Sequence, residues 1–584
     1  MVIRDPGSED RAYGAIWFEA RTDVDKLNRL VTLEDFRLTK YKFPTLVKNG
    51  SQYLANLRSI PSVRRIPLDL LETALITIKA ADEQKSYQLE NEEPHIIFSA
   101  KPAMLVLIDG DPVFQPAGQK LQMVINTRAL IAFDPDTQVY YLALMDGWLR
   151  ASAQAGQWSL AEDTTAKSLD RLTRVAALTN RHKTLGNPKQ SLKKAVEEGR
   201  LPAIFLSTVP TELLMTQGQP KFATIAGTNL RYVENSRNDI FVNKSRNMFY
   251  ILVSGRWFRS DSLLNGPWSY VTAADLPRDF AEIPVDSPKA SVLVSVPGTQ
   301  QAEEALMANQ IPQTAIISRK VAKFDVTYYG APDFQLIEGT HLLYGVNTTT
   351  PVVYVPPSKL YYAVQNAVWF VSPSARGPWT VATSVPQAIY AIPPSCPIHH
   401  VTYVQIYSYT PTSVNVGYTP GYHGAVVSRD NIVVYGTGWN YLPYVDAAGW
   451  VPRPYTYGVG AAFSWSTAAG WRFAKPSWDW GGEPFAMNVY RRWEGPIYAG
   501  TKAARANGYG GDLRKTAHYV NDNLYADHDG NIYKASLNSE WQQHTSQGWT
   551  ALVNDGMRSV LDRWQCSRRL GQQRWSNFIS SFRP

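Results

Sequence analysis

The chain has 584 residues, and this length predicts three or four domains instead of a single core. A hydrophobic fraction of 44% excludes a largely disordered protein. The net charge of +8 is spread along the chain without a dense Lys/Arg run before the C-terminal tail, so no nucleic-acid partner is expected. No apolar run reaches the length of about 18 residues that a membrane-spanning helix needs, so no transmembrane span is expected.

The composition indicates a β-rich protein that works outside the cytoplasm. Charged residues make up 18% of the chain, whereas Tyr (32), Trp (18), Gly (38) and Pro (38) are abundant, which favours many short strands and turns. The two cysteines, Cys396 and Cys566, are too few for a disulfide framework. They are interpreted as unrelated thiols, and a single disulfide between them is the alternative. Residues 1–10 lack the apolar segment of a signal peptide, and a strong strand follows at once at 14–20, so a leader ahead of this sequence is expected.

The first part of the chain predicts a β meander followed by a helix. Apolar and polar residues alternate from 14 to 43, with a polar turn at 22–28, which is the pattern of half-buried strands. Pro67 then begins a segment with leucines at helical spacing, and proline is favoured in the first turn of a helix. A pair of strands with an Asp-Gly turn is predicted at 94–112.

This order of elements occurs three times along the chain. Glycine and tryptophan landmarks recur at intervals of 108–112 residues, and each series has three members. The series are Gly110, Gly218 and Gly330; Gly118, Gly227 and Gly339; Trp148, Trp257 and Trp369; and Trp158, Trp268 and Trp379. Four landmarks in register indicate an internal repeat, which is longer than a propeller blade of about 40–45 residues.

Each copy is interpreted as a helix followed by an antiparallel meander, and the predicted fold class is α+β, dominated by β structure. In the meander, a polar turn (DPDT, NKSRN or PPSK) connects a β-branched strand to an aromatic strand, and a strand with the repeated Trp follows. Thr299 is expected to cap the helix of the third copy. The predicted boundaries are 1–66 for the N-terminal meander, 67–180, 181–290 and 291–398 for the three modules, 399–500 for an aromatic, Gly- and Pro-rich β domain, and 501–584 for a polar, basic, partly helical region with one hairpin.

Two short segments in the last third have defined predictions. Residues 401–406 and 433–435 are predicted strands. The sequence DHDGN at 527–531 resembles half of a calcium-binding loop, but Asn538 stands where such a loop has an acidic residue. A hairpin turn is therefore predicted there.

Several motifs resemble a group of large bacterial exported proteins of unknown function, sometimes named carbohydrate-binding family V/XII. Besides the repeats, they are TPGY at 419–422, VVYGTGW at 433–439 and PRPYTYG at 452–458. The similarity extends from residue 14 to the hairpin near residue 530, although members carry a signal peptide and further N-terminal strands that this sequence lacks. The resemblance implies sugar binding through a Tyr and Trp pattern that is present here as Tyr362, Trp369 and Trp379.

Aromatic side chains are the candidate ligand-binding groups, because the apolar face of a sugar ring packs against an aromatic ring. The repeated tryptophans are interpreted as core residues, since residues kept in every copy of a repeat are usually structural. Aromatics that break the repeat among Gly and Pro are better candidates, with structural and binding roles equally open. They are Trp439, Tyr441, Tyr444, Trp450, Tyr455 and Trp471.

Catalytic and metal sites have weaker support. A glycosidase needs two carboxyl groups that flank the scissile bond, and Asp479, Glu483 and Glu494 are the candidates. Acids beside tryptophans are common without catalysis, so no catalytic residue is assigned. His399 and His400 are adjacent and would point to opposite faces of a strand, so neither a metal site nor a cofactor is expected.

The sequence therefore predicts a non-enzymatic bacterial protein that is secreted, periplasmic or on the cell surface, and that binds a polysaccharide or another envelope protein. One alternative is a glycoside-active enzyme that uses the carboxylates in 479–494. Another is a structural envelope protein that self-assembles through apolar patches. A deep cleft with two carboxylates would favour the enzyme, a shallow aromatic strip would favour binding, and a self-complementary apolar patch would favour assembly.

Overall fold

The computed structural model describes part of the chain, in which antiparallel strands dominate; this confirms a β-dominated fold. The described residues are 2–4, 11–26, 28–46, 50, 51, 53, 64–68, 71–73, 75–76, 88–101, 103–118, 121–144, 147–152, 156–161, 169, 201–216, 218–236, 238–320, 324–446, 449–452, 454, 464–466, 470–472, 523–528, 531–536, 542–545 and 548–551. The chain divides into two compact units. Unit 1 comprises Met1–Ile96, Lys221–Glu234 and Asn238–Trp493, and unit 2 comprises Ile97–Pro220, Asn235–Arg237 and Glu494–Pro584.

The N-terminal part of unit 1 contains the predicted meander. The strands Ala15–Asp25, Leu30–Lys42 and Arg64–Pro67 pair antiparallel in chain order. The first turn begins later than predicted, because residues 22–25 still pair with the second strand. Leu68 and residues 71–73, 75 and 76 are helical, as the position of Pro67 predicted. A short hairpin of Val2–Arg4 and Arg11–Tyr13 precedes the meander.

Among the described residues, three six-stranded antiparallel sheets have their strands paired in chain order. The first sheet, in unit 2, comprises Phe114–Gly118, Leu121–Val124, Ile131–Asp134, Val139–Leu144, Gly147–Ala151 and Ser159–Leu160. The second sheet, in unit 1, comprises Phe222–Thr224, Leu230–Val233, Asp239–Asn243, Met248–Val253, Arg256–Ser260 and Ser269–Val271. The third sheet, also in unit 1, comprises Phe334–Leu336, Leu343–Gly345, Val352–Val355, Leu360–Gln365, Val368–Ser372 and Thr380–Val381.

The predicted three-stranded meander corresponds to the third, fourth and fifth strands of each sheet. The polar turn between the third and fourth strands ends in each sheet on a residue in the left-handed region, with φ of 58° at Gln138, 49° at Asn247 and 55° at Lys359. The other strands have two to five residues, too few to give a pattern of alternation in the sequence.

Strands outside these sheets pair over long separations in sequence. Ala103–Leu107 is parallel to Ala203–Ser207 in unit 2 and is not paired with its predicted neighbour His95–Ser99. In unit 1, Gln313–Ser318 pairs with Ser413–Tyr418, which pairs in turn with Val404–Tyr409. One sheet thus contains strands from both sides of the boundary predicted between residues 398 and 399.

The predicted strand at 401–406 is wrong in its first half, because His399–Tyr403 is a 3-10 helix and the strand begins at Val404. The strand at 433–435 is confirmed and pairs with Ala425–Val427. The predicted hairpin near residue 530 is also confirmed, since Asn523–His528 pairs with Asn531–Ser536. The other short elements are the strands Tyr444–Asp446, Gly449–Val451, Ser464–Ser466, Gly470–Arg472, Thr211–Met215, Gln542–Thr545 and Gly548–Ala551, the 3-10 helices Arg278–Phe280, Ala290–Ser295 and Pro420–His423, and the α-helix Gln387–Tyr390.

The helix Gln300–Asn309 begins after Thr299, which confirms the predicted N-cap. The Thr299 hydroxyl accepts from the N–H of Ala302 (3.1 Å) and donates to Leu293 O (2.6 Å). We expect T299A to lower the free energy of unfolding by about 1–2 kcal/mol, measured by urea unfolding, because the cap bond is lost. T299S keeps the oxygen and should lose less; an equal loss in both variants would instead assign the effect to packing of the methyl group.

Candidate functional site

Five of the six repeated tryptophans lie in the core, and Trp158 is half-buried. Trp148, Trp257 and Trp369 expose 4%, 2% and 1% of their surfaces, which confirms their interpretation as core residues. The indole N–H of Trp257 donates to the carbonyl of residue 295 (2.8 Å), and that of Trp369 donates to the carbonyl of residue 404 (2.9 Å). Tyr362 and Trp379, on which the implied sugar site depends, expose 7% and 8%. None of these five rings presents a face to a ligand.

Tyr441 and Trp439 follow the strand Val433–Tyr435 in unit 1. Tyr441 is buried, and its hydroxyl donates to Pro394 O (2.6 Å) and lies beside the Thr437 hydroxyl. Burial raises the pKa of Tyr441. Trp439 is half-buried, and its indole N–H makes a long hydrogen bond (3.4 Å) to the carbonyl of residue 88. Tyr441 is therefore a structural residue, whereas Trp439 retains an accessible surface.

Tyr444 and Trp450 belong to one hairpin but do not share a face. Tyr444 lies opposite Val451, whereas Trp450 lies opposite Val445, so the two aromatic rings point to opposite sides. The Tyr444 hydroxyl donates to Asp446 (2.6 Å), and this hydrogen bond raises the pKa of Tyr444 to about 12. The hairpin thus does not combine the two rings into one platform.

The remaining candidates are two aromatic residues and three acids in the C-terminal part of the chain. Tyr455 and the proposed acids Asp479, Glu483 and Glu494 lie outside the described residues. Trp471 lies in the strand Gly470–Arg472, which pairs with Ser464–Ser466.

A different set of aromatics recurs at matching positions in all three sheets. The ring on the first strand contacts a ring on the fourth strand, and we call these two residues the aromatic pair. The pairs are Phe114 and Tyr140 with ring centroids 6.5 Å apart, Phe222 and Phe249 at 6.4 Å, and Phe334 and Tyr361 at 5.4 Å. All six rings are half-buried or exposed; Phe222 exposes 40% of its surface.

The fourth-strand ring of each aromatic pair belongs to a row of directly opposed residues on one sheet face, here called the aromatic ladder. The first-strand ring lies opposite a residue two positions further along the second strand, which is Val124, Val233 or Gly345. Opposed residues of antiparallel strands point to the same face and are in contact distance. From the second to the fifth strand, the ladders are Gln122, Phe133, Tyr140 and Ala151; Arg231, Val242, Phe249 and Ser260; and Leu343, Tyr354, Tyr361 and Ser372. The third ladder continues to Leu336, which exposes 64% of its surface. The ladder residues include no carboxylate, and the rings of Phe114, Tyr140, Phe334 and Tyr361 also pack against buried core residues.

The ladder residues were not predicted as a site, although the spacing of the first-strand phenylalanines was visible in the sequence. Phe114, Phe222 and Phe334 are spaced by 108 and 112 residues, as are the glycine landmarks. That spacing shows recurrence but not which rings remain accessible, because the face of each ring depends on strand register.

Of the two adjacent histidines, His399 is part of the core and His400 is half-buried. His399 is buried, and its Nδ1 donates to Ile392 O (2.7 Å). Burial lowers the pKa of His399, His400 and His423 to about 4 each. Cys396 is a buried thiol whose pKa is raised by burial to about 12, and Cys566 lies outside the described residues. No group of three or more His, Cys, Asp or Glu side chains in the described part of the chain could hold a metal ion.

The comparisons with known proteins give no family. No protein-family model matches the chain, and neither a curated protein nor a solved structure shows significant similarity to it. Within the described residues, no helix has both the length and the apolar character to cross a membrane.

Proposed function

We propose that this protein is a non-enzymatic bacterial protein that binds polysaccharide through its aromatic ladders and acts in the envelope or outside the cell. The observation that carries the proposal is the aromatic pair, which occurs at matching positions in three sheets with its rings half-buried or exposed. In this proposal, the three sheets are the meanders of three copies of one α+β unit, as the sequence landmarks predict.

The chemistry of the ladders suits a sugar polymer. The C–H face of a pyranose is apolar and packs on a flat aromatic surface, while its hydroxyl groups stay in water. A shallow strip accommodates a long chain that a deep pocket would exclude. A polysaccharide presents its repeating unit many times, so several weak sites on one protein raise the apparent affinity.

The composition of the ladders favours binding over hydrolysis. Glycoside hydrolysis needs two carboxyl groups beside the bond, and the ladder residues include neither Asp nor Glu. Self-assembly is a second candidate, favoured by the exposed Leu336 at the end of the third ladder. Analytical ultracentrifugation with L336A tests it, and a concentration-dependent oligomer that this change dissociates would support assembly.

A glycan array tests the binding proposal directly. We expect the protein to bind at least one glycan class, and we expect F222A/Y361A to bind about tenfold more weakly, because each change removes one stacking ring. L264A is the matched control, since Leu264 is 69% exposed in the same unit and lies outside the ladders. Circular dichroism verifies that each variant folds.

Two outcomes of the array would contradict the proposal. Absence of binding to every glycan would remove polysaccharide as the ligand. Binding that survives F222A/Y361A but is lost in W439A would place the site after the strand Val433–Tyr435 instead of on the ladders.

A further inference from the structure

The second sheet differs from the other two in charge at its aromatic ladder. Arg231 lies directly opposite Val242, and the matching ladder positions in the first and third sheets hold Gln122 and Leu343. Arg231 is exposed beside a pair of rings that is common to all three sheets. The aromatic pair is therefore constant, while the residue next to it varies in charge.

A second cation, Lys244, lies in the turn that follows the third strand of this sheet. Lys244 follows Val242 by two residues, and its N–H donates to Asn229 O (3.0 Å), which continues the pairing of these strands. Lys244 is the first turn residue after the strand Asp239–Asn243 and lies two residues beyond the position opposite Arg231. The corresponding turn positions in the first and third sheets are Pro135 and Pro356, which carry no charge.

The two cations are available to an anionic ligand. Lys244 is exposed like Arg231, and neither forms an ion pair with another described residue. Two carboxylates lie along this part of the sheet. Asp279 accepts hydrogen bonds from Asn229 and Asn243, and Glu234 follows Val233 on the side of the sheet opposite to Arg231.

We infer that the ladder of the second sheet selects polysaccharides that carry negatively charged sugars. This inference rests on the proposed function and adds the ligand class. Sugar faces pack on Phe222 and Phe249, and the guanidinium and ammonium groups bind carboxylate or sulfate substituents. Arg231 and Phe249 lie two strand spacings apart, about 10 Å, which is the length of a disaccharide. The first and third ladders have no cation at these positions and bind neutral sugars.

The alternative anionic polymer is a single-stranded nucleic acid, which also combines stacking with phosphate contacts. The polysaccharide is favoured because the surface has two cations, whereas a nucleic acid carries one phosphate at every nucleotide and is bound by longer basic grooves. The experiment below includes an oligonucleotide to separate the two.

The test measures binding of the full chain to polygalacturonate, to neutral dextran and to oligo-dT by biolayer interferometry at low and high salt. We expect polygalacturonate to bind most tightly and to be weakened by salt. R231Q/K244Q should weaken polygalacturonate about tenfold and leave neutral glycans unchanged. K26Q/K320Q is the matched control, because it removes two exposed charges from the same unit away from the ladder.

The outcomes of this test distinguish a failure of the inference from a failure of the proposed function. If K26Q/K320Q weakens polygalacturonate binding as much as R231Q/K244Q does, net charge explains the effect and the inference is wrong. Tighter binding of oligo-dT than of polygalacturonate would also overturn the inference. If R231Q/K244Q has no effect while F222A/Y361A weakens glycan binding, the selectivity for acidic sugars is wrong and the proposed function stands. If no neutral or acidic glycan binds, the proposed function itself fails.

Discussion

R256M is expected to lower the free energy of unfolding of unit 1 by about 3 kcal/mol. Arg256 begins the fifth strand of the second sheet and exposes 1% of its surface. Its guanidinium donates to Asn91 Oδ1 (2.9 Å), to Tyr435 O (2.8 Å) and to Gly436 O (2.9 Å). One cation thus connects the second sheet to two segments that are distant in sequence.

The size of the effect follows from competing terms. Hydrogen bonds to a charged group contribute about 1.5–3 kcal/mol each. Their removal takes the Arg256 donor from one buried acceptor, Gly436 O, and from two partly buried ones, Asn91 Oδ1 and Tyr435 O. Removal of a buried charge is favourable and offsets part of that loss, so the net destabilisation stays well below the sum. Methionine keeps most of the side-chain volume, so the cavity term is small.

Urea unfolding followed by tryptophan fluorescence measures this effect, provided that the transition of unit 1 is resolved from that of unit 2. R256K should recover little stability, because a lysine ammonium cannot form the planar fork of three donors. R259M is the control on the same strand, since Arg259 is half-buried, and it should change stability by less than about 1 kcal/mol. Equal losses for R256M and R259M would show that the buried network adds no stability.

Unit 1 is expected to lose stability as the pH falls from 6.5 to 4. Burial lowers the pKa of His399 from 6.5 to about 4, and the neighbouring His400 contributes in the same direction. Above pH 6.5 the imidazole is neutral in the folded and unfolded states, so its contribution is constant. Between pH 6.5 and 4 the unfolded chain binds a proton that the folded protein does not bind, so stability falls.

The magnitude for His399 is about 3 kcal/mol, because each unit of pKa corresponds to about 1.4 kcal/mol. His400 and His423 are half-buried and add smaller contributions of the same sign. H399N is the informative variant, because an asparagine amide replaces the Nδ1 donor to Ile392 O without a titratable group. Its stability should vary less between pH 6.5 and 4, and a slope equal to that of the parent protein would contradict the assignment.

The contribution of Glu212 to stability has the opposite pH dependence, so Glu212 is replaced by glutamine before the histidine effect is measured. Burial raises its pKa from 4.5 to about 7, so stability from Glu212 is present below pH 4.5 and is lost as the pH rises through 7. Glu212 belongs to unit 2, whereas the histidines belong to unit 1. In an E212Q background we therefore expect the histidines to dominate the change in the free energy of unfolding between pH 6.5 and 4.

The burial of some aromatic residues could be predicted from the sequence, and that of others could not. Trp257 and Trp369 were correctly interpreted as core residues, and the indole N–H of each donates to a backbone carbonyl in a buried hydrogen bond. Tyr441 was a candidate for an exposed ligand-binding residue because Gly and Pro surround it. It is buried instead, and its hydroxyl donates a hydrogen bond to Pro394 O. Local composition indicates a loop, but it does not show what packs over that loop.

Arg256 illustrates the same difference. The fifth strands of the other two sheets begin with Gly147 and Val368, so comparison of the three segments gives no reason to expect a buried cation there. Its partners, Asn91 and residues 435–436, lie more than a hundred residues away in sequence. Such a contact has no local pattern, since it exists only after distant segments meet.

The sequence by itself determined the longer meander strands, the polar turns between them and the helix cap, because alternation, turn residues and the capping hydroxyl of Thr299 act over a few residues. Tertiary structure decided which strands pair at long range, such as Ala103–Leu107 with Ala203–Ser207, and which side of a ladder remains open. A shift of one residue in register moves every side chain to the other face of a sheet. Accessibility of Phe222 and Arg231 is therefore a property of register, and local sequence does not specify it.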